Sequence, residues 1–151
     1  MIGASLPDGR LDMPALRALA AAAQGLDLTL HRAVDLSPDP RQAMQDCAAL
    51  GIGRVLSSGG AAAAEQGLDR LAAMAAAAPG VTVMPGGGIS AANVAGLAAR
   101  LPLREVHASC AAPLPPPADP RLAAFGFQPP GARGTDAARV RALRRALDQI
   151  G

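Results

Sequence analysis

The chain has no lysine, no tryptophan and no tyrosine. All fourteen of its basic residues are arginine, so no side-chain amine exists to form a Schiff base. Lysine-dependent aldolase chemistry and lysine-bound pyridoxal phosphate are thereby excluded. The aromatic residues are two phenylalanines in 151 positions, and the net charge is only +2 with the arginines scattered. Without a basic cluster or stacking platforms, nucleic-acid binding is not expected. Cysteine is scarce as well: Cys47 and Cys110 lie far apart and form no CxxC spacing. That usage fits a reduced, cytoplasmic setting. The opening "MIGASLPDGR" has no charged n-region and no long apolar run, so no signal peptide is expected. "LRALAAAAQGL" and "LDRLAAMAAAA" are apolar but interrupted by Arg and Asp. Both are shorter than the roughly 20 residues that span a bilayer, and no membrane association is expected.

Apolar residues make up 50% of the chain and charged residues 17%, which suits one globular domain over residues 1–151. Two patterns alternate along it. "LDMPALRALAAAAQG" starts with Asp12 as an N-cap and Pro14 in the first turn, and Gly25 closes it. "LDLTLH" is a β-type run. "SPDPRQAMQDCAALG" reads as a helix with Ser37 as its cap and Cys47 in its apolar stripe. "RVLSS", "VTVMP" and "EVHAS" read as strands. "EQGLDRLAAMAAAAPG", "SAANVAGLAARL" (capped by Ser90) and "TDAARVRALRRALDQI" (capped by Thr135 or Asp136) read as helices. With "MIGAS" as the end of one more strand, the pattern is five βα units and a parallel sheet. The stretch 111–134 holds seven of the fourteen prolines and no periodicity. It is expected to be a long connection, disordered in preference to a mobile lid.

In parallel α/β folds, ligands bind at the carboxyl ends of the strands. Here those ends are polar throughout. The second strand delivers His31, Arg32 and Asp35; the third ends in Ser58 and Gly59; the fifth carries His107 and Ser109. Gly86, Gly87 and Gly88 bare successive N–H groups ahead of a helix, and Ser90 and Asn93 follow. Such a bend is a candidate phosphate or carboxylate site, although neither a Walker loop nor GxGxxG is present. His31, Arg32, Asp35 and His107 are the candidate catalytic residues, with a histidine as general acid or base. Asp35 either orients His31 or caps the following turn. A metal held jointly by His31 and His107 is disfavoured by their separation in the strand order. Arg54 lies at the opposite end of its strand and is expected to form a structural ion pair.

"TLHRAVD", "RVLSSGG", "MPGGGIS" and "EVHAS" occur in an order and spacing that resemble the CutC family of copper homeostasis proteins. The resemblance implies a TIM-type (β/α)8 barrel, a cytoplasmic protein, a tie to copper and often a dimer. Copper, weakly held, is the implied metal, with His107 and Cys110 as candidate ligands. The resemblance reaches only the C-terminal portion of such a protein. Five strands give a partial barrel, since a complete one takes about 250 residues. The expectation is a missing N-terminal portion in preference to homo-oligomers joined edge to edge. Two other readings stay open: a barrel enzyme that binds a phosphorylated small metabolite at the glycine-rich strand ends, and a non-functional truncated remnant. The sequence does not decide whether the chain is an enzyme.

Overall fold

The computed structural model describes residues 1–150. The first helix, α1 (Met13–Ala22), begins where Asp12 accepts the Ala15 N–H and Pro14 occupies a position whose N–H is not needed. Then follow β1 (Thr29–Leu30), a 3-10 turn over Arg32–Leu36 and α2 (Pro40–Ala49). Next come β2 (Arg54–Ser57), a second 3-10 turn over Ala64–Gly67, and α3 (Leu68–Ala77). β3 (Thr82–Pro85) leads to a short α4 (Val94–Ala98). The remainder is β4 (Ala111–Pro113), α5 (Pro120–Ala124), β5 (Arg133–Thr135) and α6 (Ala137–Asp148).

β1, β2 and β3 form a parallel sheet in chain order. Single parallel bridges extend it at both edges, Ile2 beside Leu30 and His107 beside Gly86. The five expected β segments are therefore present and parallel, but the outer two contribute one bridge each, and the sheet is open.

Alternation along the strands sorts the side chains. Leu30, Val55 and Val83 join a core with Leu16, Met44, Leu71, Met74, Val94, Leu97 and Leu143 from the helices. Val106 packs against the same core, so its neighbour His107 stands on the opposite face, where it is exposed. Arg54, Thr82 and Met84, also off the core face, are half-buried.

Several local expectations are corrected. Asp39, not Ser37, caps α2: its carboxylate accepts the Arg41 and Gln42 N–H groups, and Pro40 follows directly. Ser37 instead donates its hydroxyl to Asp39 O. The segment after Pro85 is mostly turn, and α4 starts only at Val94; Ser90 does not cap it with its side chain. Stretch 111–134 is not structureless. β4 and β5 pair antiparallel and carry α5, which Asp119 caps at Pro120. At the tip of that excursion Phe125 and Phe127 meet edge to face with centroids 6.3 Å apart, 69% and 77% exposed.

Candidate functional site at the C-terminal edge of the sheet

Asp35 anchors this edge. Its Oδ1 accepts the Ser57 hydroxyl at 2.6 Å, the Gly60 N–H at 3.0 Å and the Ser58 N–H at 3.1 Å. Its Oδ2 accepts Arg32 Nε at 2.7 Å and lies 3.0 Å from Ser58 Oγ. The carboxylate is 9% exposed. Burial pushes its pKa up, but the hydrogen bonds from Ser57, Arg32, Gly60 and Ser58 outweigh burial and hold it below the ordinary aspartate value. Asp35 thus fixes the turn after β2 to the turn after β1. It makes no hydrogen bond to His31.

Arg32 completes the corner. Nη2 donates to Ser58 Oγ and to Ala61 O, the latter at 3.3 Å. Its remaining nitrogen, Nη1, has no protein partner among the described residues. It lies 3.6 Å from where a Cβ on Gly87 would stand. Gly87 (φ +99°) and Gly88 (φ +72°) adopt left-handed backbone, and their N–H groups meet no protein acceptor among the described residues. Gly86 N–H is different: it is bound to Ser57 O and continues the sheet.

The other candidates separate from this corner. His31 caps its own 3-10 turn, with Nδ1 accepting the Ala33 N–H at 3.0 Å. That bond requires Nδ1 to be unprotonated. Its ring lies over Gly3, leaving no room there for a side chain. Gly59 is buried, its N–H is taken by Ser57 Oγ, and its Cα packs on the Gly67 backbone. Asn93 Oδ1 accepts the Ser90 N–H and its Nδ2 donates to Gly88 O, so these two residues brace the glycine turn. His107 stands beside Gly86, three strand spacings from His31, roughly 14 Å apart. Ser109 and Cys110 lie beyond it, and Cys110 adopts φ +48°. Among the described residues no group of three or more His, Cys, Asp or Glu side chains is placed to hold a metal ion. Arg54 forms the expected ion pair with Glu105 at the far edge of the sheet and also donates to Thr29 Oγ1 at 3.1 Å.

Sequence reasoning missed Ser57, whose hydroxyl both donates to Asp35 and accepts from Gly59. Alternation turns it toward the helices, and only its contact with a residue 22 positions away reveals its role. Arg133 and Arg139 were missed as well: the stretch that carries Arg133 reads as disordered, and Arg139 on the last helix gives no sign that it meets Ala111 O across 28 positions.

Fold and edge together define a class: an α/β protein of successive parallel βα units that gathers its polar side chains at the carboxyl ends of the strands. Comparison with known proteins names it. The CutC family matches residues 1–112. A CutC family protein of Rhizobium meliloti is 46% identical over 149 residues, covering 98% of this chain and 60% of the relative. One from Caulobacter vibrioides is 45% identical over 149 residues, covering 97% of this chain and 60% of its own length. The crystal structure of a Streptococcus agalactiae protein described as a copper homeostasis protein CutC superposes with a TM-score of 0.66 at 26% identity. That match covers 70% of this chain and 53% of the streptococcal one. The chain belongs to the CutC family. It spans about 60% of the length of the curated relatives it matches. Among the described residues no helix is long and apolar enough to cross a membrane.

Proposed function

We propose that this chain is the ligand-holding portion of a CutC-type protein, and that it binds a small anion in the corner between Arg32 and the Gly87–Gly88 turn. The observation that carries this reading is the way Arg32 is held. Asp35, Ser58 and Ala61 occupy Nε and Nη2, which leaves Nη1 beside Gly87, in a turn whose Gly87 and Gly88 N–H groups have no acceptor among the described residues. A guanidinium and adjacent N–H donors match the planar, multidentate demands of phosphate or carboxylate. A side chain at Gly87 would be strained by its φ of +99°, and its Cβ would occupy the space in contact with Ser58, Ala62 O and Arg32 that an anion would fill.

In this reading the five parallel positions are consecutive strands of a (β/α)8-type ring, and the corner faces the mouth of that ring. The remaining strands come from a further segment of polypeptide or from a second copy. The free thiols of Cys47 and Cys110 suit a cytoplasmic protein. The test is titration calorimetry with inorganic phosphate at low salt. Replacing Arg32 by Gln should weaken phosphate binding about tenfold or more, the scale of one charge-assisted contact. Gly87→Ala should do the same while leaving far-ultraviolet dichroism unchanged. Equal affinity in the native protein and both variants would exclude the corner.

The copper homeostasis description of the streptococcal relative supports a second reading, in which exposed His107 and partly buried Cys110 bind Cu(I). Imidazole and thiolate are the ligands that soft copper prefers. Competition with a Cu(I) chelator should then release less metal from the native protein than from Cys110→Ala; equal release would sink this reading.

A further inference from the structure

The glycine turn has a second side, which the Arg32 corner does not use. Between Gly88–Ala92, Ser109–Ala111 and the start of α6 lies a cleft of about 390 Å³. Gly88, Ser90, Ser109, Cys110, Arg133 and Arg139 line it. Arg133 Nη2 and Arg139 Nη1 both donate to one main-chain oxygen, Ala111 O, each at 2.7 Å. The two cationic groups therefore lie side by side. Neither has a carboxylate partner among the described residues. Asp136, the acid of this segment, accepts the Arg139 main-chain N–H at 2.8 Å and serves as the cap of α6. A shared carbonyl supplies only a partial negative charge, so the mutual repulsion of the pair is not neutralised. Ser109 Oγ accepts the Ala111 N–H at 3.3 Å, and its hydroxyl donates to no protein group among the described residues.

We propose that this cleft binds a phosphate group, held between Arg133 and Arg139 with the Ser109 hydroxyl contributing a neutral donor. Two guanidinium groups brought together at the exposed edge of the cleft favour a doubly charged tetrahedral anion over a monoanion, because each offers a planar set of N–H groups. The glycine turn separates the two sites, but the charged groups differ, Arg133 and Arg139 here and Arg32 there, so this site stands or falls separately from the Arg32 corner.

Cys110 gives a local readout. It lines the cleft and is partly exposed. Cys47 is buried, and burial together with Asp46 pushes its thiol up to about 12, so it stays unreactive in the folded protein. Alkylation by iodoacetamide, followed by mass spectrometry at constant ionic strength in chloride, then reports on Cys110 alone. Inorganic phosphate should slow it about tenfold at roughly ten times its dissociation constant. Replacing Arg133 and Arg139 together by Gln should abolish that protection, and Arg32→Gln should leave it intact. Continued silence of Cys47 in each variant shows that the fold has survived. Protection by ethyl phosphate but not by inorganic phosphate identifies a phosphomonoester as the occupant; equal protection identifies the free ion. The proposal is overturned if neither compound slows alkylation of the native protein, or if protection persists in the double variant.

Discussion

Asp35 receives donors from three directions and gives up none, which is the arrangement that a charged carboxylate satisfies and an amide does not. Asp35→Asn keeps the shape but places an NH2 group against Arg32 Nε or against the Ser57, Ser58 and Gly60 donors. The expected loss is about 2–4 kcal/mol, read as a lower urea midpoint by far-ultraviolet dichroism. The same residue sets an acid limb. Its folded pKa is depressed, so its contribution is complete above the unfolded carboxylate value of about 3.9 and is lost as pH falls through the folded value. Stability of the native protein should decline on acidification below about pH 4, and the Asn variant should decline less over the same interval. An identical slope in both proteins would assign the acid limb to other groups.

At the scale of elements, the turn after β2 depends on two backbones touching. A Cβ added at Gly67 would stand 2.0 Å from Ser58 O, and one at Gly59 would stand 2.3 Å from Gly67 O. Gly67→Ala should therefore cost about 1–3 kcal/mol or more, and should also loosen the Asp35 corner, because Ser58 would have to move. Thermal unfolding together with phosphate titration checks both effects; full stability in the variant would contradict the contact. The parallel βα units were legible from hydrophobic period and the cap at Asp12 from local spacing, whereas spacing leaves the last helix's cap between Thr135 and Asp136, and the structure places it on Asp136. The cap of α2 was misread because Ser37 and Asp39 both precede a proline, and only the carboxylate two residues later reaches the free N–H groups. The polar edge was legible as a set of strand ends. Which of its residues converge was not, since Arg32 meets Ser58 across 26 positions and Arg139 meets Ala111 across 28. Such meetings are set by how the strands twist and how the excursion folds back, neither of which leaves a periodic trace.

At the scale of the whole molecule, the core is continuous from Leu11 to Leu143 but takes none of its buried members from residues 112–134. The β4–β5 excursion is thus attached to the fold without holding it up. Replacing residues 115–131 by an Asn-Gly turn, which suits a two-stranded antiparallel ribbon, should leave the melting temperature within about 4 °C of the native value. A larger fall would show that α5 and the proline-rich stretch cover apolar surface that the rest of the chain needs. The parallel sheet itself is open at both sides, and its His107 face is the one that helices leave bare.

The paired rings of Phe125 and Phe127 stand at the far tip of that excursion, outside every buried cluster. With no tryptophan or tyrosine elsewhere, the packed interior is optically silent in the near ultraviolet. Intrinsic fluorescence and absorbance would follow the tip and miss the collapse or loss of the core altogether.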